Sequence, residues 1–180
     1  MKRLLLHVCC APCSTSVIEK LKENYDVTLF FYNPNVEPIN EYEKRLNEAE
    51  RYAEAMDIPI IIGDYDIIDW QSAVRGHEND PEGGERCAIC FRFRLQKTAQ
   101  VAKEGTHQTK EGDSSPSFDL FTTTLTVSPY KNAEIINQIG KEFDNFLEQD
   151  FKKDYMHSIE LSKKYNLYRQ NYCGCLFSKK

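Results

Sequence analysis

Short apolar runs alternate with amphipathic stretches along the first third of the chain. Leu4–Val8 is a short apolar run that leads into Cys9-Cys10-Ala11-Pro12-Cys13. Pro12 there suits a first helical turn, and a helical pattern continues to about Glu23. Val27–Tyr32 is rich in β-branched and aromatic residues and is ended by Asn33-Pro34-Asn35. Glu41–Met56 is a charged amphipathic helix, and Ile58–Ile62 is a third strand. The alternation β-α-β-α-β, with strands apolar on both faces, predicts an α/β fold with a parallel sheet, helices on both faces and right-handed crossovers. Asp66–Arg75 reads as a short helix, Gly76–Glu85 as a polar loop and Cys87–Lys103 as a long helix. Gly105–Ser117 reads as a surface loop, Phe118–Leu125 as a strand, Ala133–Leu147 and Asp154–Lys164 as closing helices, and Asn166–Lys180 as a tail. Ligands of such sheets gather outside the carboxyl ends of the strands, which is where Cys9 and Cys10 fall.

At 180 residues the chain suits one domain, spanning 1–180, with a core that needs no disulfides. No apolar run approaches the ~20 residues that cross a bilayer. The opening Met1–Val8 stretch is too short for a signal peptide and reads as a buried strand, so the expected location is the cytoplasm. Seven cysteines in that compartment are more consistent with metal or redox chemistry than with disulfide bracing. The net charge of −5 offers no long-range attraction for nucleic acid, so any such partner must meet a local basic patch.

All seven cysteines fall into three clusters: Cys9, Cys10 and Cys13; Cys87 and Cys90; Cys173 and Cys175. A lone buried cysteine is usually a small core residue, but three tight clusters point to metal or redox chemistry. Structural zinc closes with four ligands and leaves three cysteines unexplained. An iron–sulfur cluster also takes four thiolates but spreads them farther apart, and Cys9, Cys10, Cys87 and Cys90 supply that set. Cys13 is then a spare, either packed beneath the cluster or held as a thiolate at a helix start. Cys173-Gly174-Cys175 reads as a dithiol switch that closes a strained, easily reduced ring, with second-metal ligation beside the cluster as the alternative.

Several motifs taken together resemble one family in order and spacing. They are Cys9-Cys10-Ala11-Pro12-Cys13 after a strand bearing His7, Tyr32-Asn33-Pro34-Asn35, Arg86-Cys87 with Cys90, Phe121-Thr122-Thr123-Thr124-Leu125 with Ser128-Pro129, and Tyr168-Arg169-Gln170 with Tyr172-Cys173-Gly174-Cys175. From about Leu4 to Ser178 the chain resembles the cobalamin-independent epoxyqueuosine reductases. That resemblance implies reduction of the epoxide of epoxyqueuosine to an alkene, at the tRNA wobble position, with loss of water. It also implies a [4Fe–4S] cluster. Thiolate chemistry adds an adjacent mononuclear iron as a further option for Cys13, Cys173 and Cys175, and the sequence does not identify the electron donor. The implied fold is a three-layer parallel-sheet domain like the PP-loop and adenine-nucleotide-hydrolase-like proteins, with a helical C-terminal part. Where those ATPases carry a Gly-rich phosphate loop this chain has Cys-Cys-Ala-Pro-Cys, which suggests metal binding in place of ATP.

Lys131, Arg169 and Gln170, with Tyr130, lie near these motifs and are candidates for holding the tRNA backbone or the modified base. Arg86, Arg92, Arg94 and Lys97 flank the Cys87–Cys90 pair, with Phe91 and Phe93 interleaved. Lys152, Lys153, Lys163, Lys164, Arg169, Lys179 and Lys180 enrich the C-terminal part, and together these cations predict a local tRNA-binding patch. His7 reads as a hydrogen-bonded core histidine, and Asp64, Asp66 and Asp69 as a solvated turn and helix cap. Two other classes fit less well: a tRNA thiolation or sulfur-transfer enzyme, which would need the missing phosphate loop, and a zinc-stabilised RNA-binding module.

Overall fold

A computed structural model describes residues 1–105 and 118–179. Its elements are β1 (Lys2–Val8), α1 (Ala11–Lys22), β2 (Tyr25–Phe31), α2 (Ile39–Ala55), β3 (Ile60–Ile62), α3 (Ile67–Ala73), α4 (Glu85–Glu104), β4 (Leu120–Thr123), α5 (Ala133–Gly140) and α6 (Tyr155–Lys164). The four strands form one sheet in the order β3-β2-β1-β4, and every pairing is parallel. The period-2 rule divides β1 between the two faces. Leu4, Leu6 and Val8 pack with Val17, Ile18 and Leu21 of α1 and with Tyr42, Ala49 and Tyr52 of α2. Leu5 faces the other way, with Leu95 of α4, Phe121 of β4 and Ile136 of α5. Helices therefore cover both faces, as the apolar strands require.

Sequence and structure part in three places. The helix expected over Ala133–Leu147 stops at Gly140. A Cβ at Gly140 would collide with the Phe146 ring, and that ring instead packs edge-on against Phe121 at 5.3 Å. Residues 145–147 run alongside β4, with the Phe121 amide donating to the Asn145 carbonyl at 3.0 Å. The strand expected over Phe118–Leu125 is cut at Thr123, whose Oγ1 accepts from the Leu125 amide and starts a 3₁₀ turn over Thr124–Val127. The loop expected over Gly105–Ser117 lies outside the described residues, except Gly105, which ends α4. The expected tail is anchored through Leu167, Gly174 and Cys175, all buried.

β1 sits between β2 and β4, so the chain leaves it toward β2 on one side and returns at β4 on the other. The crevice beyond the carboxyl ends of β1 and β4 is thus the switch point at which parallel sheets take ligands.

Candidate functional site

Cys9 follows β1, Cys10 is the N-cap of α1 and Cys13 lies in its first turn, so the switch point is floored by sulfur. Cys9, Cys10 and Cys13 place their sulfurs within 4.8 Å of one another, an arrangement able to hold a metal ion. Cys13, a spare on spacing grounds, joins Cys9 and Cys10 because one helical turn returns its side chain to the helix start. The Cys9 and Cys10 sulfurs share a hydrogen bond at 3.8 Å, Thr124 Oγ1 donates to Cys9 Sγ at 3.5 Å, and Gln170 Nε2 donates to Cys10 Sγ at 2.9 Å. Hydrogen bonds first from Cys10 and then from Cys13 hold the Cys9 thiol well below the usual thiol range, against the opposing effect of burial. The Cys13 thiol is raised well above that range by its hydrogen bonds with Cys10 and Cys9 and by burial. Three sulfurs within reach of one another, one of them a lowered thiol, at the start of a helix that favours the thiolate form, make a site able to hold a cation.

The other four cysteines line a neighbouring cavity of about 280 Å³ together with Trp70, Arg86, Arg94 and Lys131. Cys87 and Cys90 are one turn apart on α4. Cys87 Sγ accepts from the Gly83 amide at 3.2 Å, and burial raises the Cys90 thiol while Arg94 opposes it. Cys175 is buried, which pushes its thiol up to about 11. A second, more polar cavity of about 630 Å³ is lined by Cys9, Cys13, Arg94, Lys131, Arg169, Gln170 and Cys173. Cys173 therefore borders both cavities, as do Arg94 and Lys131. All seven cysteines are present as free thiols.

The Cys173–Cys175 segment is held by residues to which the sequence analysis gave no role. Arg45, 2% exposed, donates to the Cys173 carbonyl at 2.9 Å and the Tyr172 carbonyl at 3.1 Å, and pairs with Glu41 at 2.8 Å. Gly174 has φ +114°, and a Cβ there would lie 2.8 Å from Val36 Cγ2 and 2.9 Å from Arg45 Nη1, so glycine is required. Its carbonyl accepts from the Glu37 amide at 2.8 Å. The i,i+4 spacing of Glu41 and Arg45 is visible in the sequence, but spacing alone does not tell a buried pair from a surface one. Trp70 is fully buried and packs with Cys90 and Cys175.

The expected cationic patch on α4 does not form. Arg86 is buried and donates to the carbonyls of His77, Glu78 and Asp80. Arg92 borders neither cavity and pairs with Glu142 at 2.6 Å on the surface. Arg94 is 2% exposed, and Lys97 approaches Asp66 at 3.7 Å. Lys152, Lys153, Lys163, Lys164, Arg169 and Lys179 are exposed, while Lys180 lies outside the described residues. Lys131 is half-buried, and the charges of Cys173, Cys9 and Cys13 raise its pKa although burial acts to lower it. His7 is a core residue as expected, with Nδ1 2.8 Å from Thr123 Oγ1 and Nε2 3.0 Å from the Tyr32 carbonyl. Its pKa falls to about 4, chiefly through burial. Asp64 and Asp69 are exposed, as expected. Asp66 holds the N-cap position of α3, but its carboxylate accepts from Tyr32 Oη at 2.8 Å instead of capping the helix. Among the described residues no helix is long and apolar enough to cross a membrane.

The profile of the family described as Epoxyqueuosine reductase QueH matches residues 4–180. The chain is 38% identical over 190 residues to the epoxyqueuosine reductase QueH of Streptococcus pyogenes serotype M1, covering 98% of this chain and 70% of that protein. It is 38% identical over 185 residues to the same-named protein of Acinetobacter baylyi, covering 98% and 80% of the two chains. With that of Thermotoga maritima it shares 37% identity over 188 residues, covering 99% and 91%.

Proposed function

The chain belongs to the epoxyqueuosine reductase QueH family, and from that premise we propose that it is a cytoplasmic, single-domain oxidoreductase that reduces epoxyqueuosine to queuosine at the wobble position of tRNA. The reaction removes the epoxide oxygen as water and leaves an alkene, so it consumes two electrons and two protons. The observation that carries this reading is the gathering of cysteines from three separate segments around two adjoining cavities at the carboxyl edge of the sheet. A sulfur-floored switch point on a parallel sheet also agrees with a three-layer PP-loop/adenine-nucleotide-hydrolase-like architecture in which cysteines stand where phosphate would bind.

The donor set fits an iron–sulfur cofactor. Its ligands are thiolates, and here a lowered thiol, a helix N-terminus and two buried or half-buried cations favour that form. In this reading Cys9, Cys10, Cys87 and Cys90 hold a [4Fe–4S] cluster, which when bound supplies electrons one at a time. Cys173 and Cys175 store two electrons as a dithiol and release them, with two protons, on closing to a disulfide. The alternative use of Cys13, Cys173 and Cys175 is to hold an adjacent iron. An external donor restores the electrons.

The remaining residues bind and orient. Arg169 and Lys179, exposed at the polar cavity, take backbone phosphates of the tRNA. Lys131, bordering both cavities, would stabilise negative charge that develops on the departing oxygen. Gln170 fixes Cys10 through its amide. Trp70 and Phe91 make the inner cavity apolar and exclude water from the reacting bond.

Anaerobically purified protein tests the reading by iron and sulfide analysis, followed by incubation with tRNA carrying epoxyqueuosine and a chemical reductant. About four irons and four sulfides per chain, with conversion of the nucleoside to the alkene, are expected. Zinc without sulfide would remove the cluster assignment, and an unchanged nucleoside in cluster-loaded protein would remove the activity.

A further inference from the structure

Arg45, Arg86 and Arg94 are each almost fully buried, but only two of them have strong partners. Arg45 has the Glu41 carboxylate and two carbonyls, and Arg86 has three carbonyls. Among the described residues Arg94 makes one hydrogen bond, a long one from Nε to the Cys90 carbonyl of its own helix at 3.3 Å, and its guanidinium lies 5.8 Å from the centre of the Phe91 ring. Its Nη2 is buried with no acceptor, and among the described residues no carboxylate pairs with it. An uncompensated guanidinium in the interior costs several kcal/mol unless an anion answers it. Sulfurs share its cavities: Cys90 and Cys173 line the inner one, Cys9 and Cys173 the polar one. Arg94 follows Cys90 by one helical turn on α4 and borders both cavities, so it stands between the clusters of thiols.

We propose that Arg94 is the built-in counter-cation of the cysteine site, a positioning residue whose free Nη2–H donates to a sulfur of the bound iron–sulfur cluster and thereby sets its reduction potential. The physical basis is general: thiolate ligation makes the site anionic, and nearby positive charge and hydrogen bonds to sulfur stabilise the reduced, more negative form. Burial makes the effect large, because no water screens the charge. Lys131, which lines the same two cavities, adds a second positive charge, but it is half-buried and partly screened. Arg94, unlike the exposed Arg169, is too deeply buried to meet the tRNA backbone.

This inference rests on the cluster reading above, which the iron and sulfide content of the wild-type protein tests separately. The experiment is a redox titration of the cluster absorption in wild type, Arg94→Gln and Arg94→Lys, each at equal measured iron and sulfide. At the wild-type midpoint the oxidised-to-reduced ratio of Arg94→Gln is expected to rise about tenfold, about 59 mV for a one-electron couple. Arg94→Lys, which keeps the charge but loses the planar fork, should fall between. A ratio in Arg94→Gln within twofold of wild type overturns the proposal. If Arg94→Gln fails to load, metal-free protein decides. Removing a charge that only the cluster compensates leaves metal-free melting unchanged or higher, whereas melting well below metal-free wild type would make Arg94 a fold element and overturn the proposal.

Discussion

Replacing Arg45 with Met should loosen the Cys173–Cys175 segment and destabilise the whole protein. The guanidinium makes three bonds at 2.8–3.1 Å, to the Glu41 carboxylate and the carbonyls of Cys173 and Tyr172, and its side chain is 2% exposed. Met fills most of the volume but strands Glu41, whose remaining donor is Tyr168 Oη at 2.9 Å. Breaking one side of a buried pair costs about 3–5 kcal/mol. In a chain of this length each kcal/mol lowers Tm by about 2–4 °C, so a fall on the order of 10 °C is expected. The double variant Glu41→Gln/Arg45→Met should recover part of this, because no buried charge is then left alone, with a coupling of about 1–3 kcal/mol. Urea unfolding of wild type, both single variants and the double variant measures the cycle. Alkylation of Cys173, followed by mass spectrometry, measures the local effect and should accelerate in Arg45→Met. An Arg45→Met protein within 1 kcal/mol of wild type, alkylated at the wild-type rate, would refute the argument that α2 clamps the segment.

Gly174→Ala should act on the same segment without touching a charge. The left-handed backbone costs a non-glycine residue about 1–2 kcal/mol, and the new methyl presses on Val36 and Arg45, so turnover should fall more than Tm. Cys87→Ser should lose iron and sulfide, whereas Cys173→Ser should keep both and lose turnover; equal loss of iron in the two would remove the division between ligand and switch. Arg169→Ala should weaken tRNA binding and lower the salt slope of log K by about 1. Arg92→Ala should leave both unchanged, since an exposed pair contributes about 0–1 kcal/mol and Arg92 lies outside the cavities. His157 of α6 bonds Glu19 of α1 at 2.8 Å, and this bond raises its pKa above the ordinary 6.5. A raised folded-state value stabilises the fold below pH 6.5 and the benefit disappears as pH rises through that value. Tm of wild type minus His157→Gln should therefore be larger at pH 5.5 than at pH 8, and a flat difference would rule this out.

Periodicity and residue type made much of the fold legible. The apolar runs at Leu4–Val8 and Val27–Tyr32 had to be strands buried on both faces, and Cys9 and Cys10 had to follow the first of them. What misled was local regularity. Ala133–Leu147 keeps a helical pattern, but Phe146 gains more by packing on Phe121 than by continuing a helix through Gly140. The α4 arginines looked like an RNA-facing stripe, yet three different environments took them: a loop of carbonyls for Arg86, a surface carboxylate for Arg92 and a cavity of sulfur for Arg94.

The linear order of residues determined that this chain would form a parallel α/β sheet, that its cysteines would be grouped in three places and that the first group would stand at a strand end. Those properties depend on neighbours within a few residues, where side-chain period and helix-start chemistry act. Tertiary structure alone decided that Cys173 borders both cavities and that Arg45 fixes the last cysteines from a helix 128 residues earlier in the chain. Each of these depends on which desolvated charge meets which carbonyl or thiol across the fold, an energy set by distance in space and by burial rather than by separation along the chain.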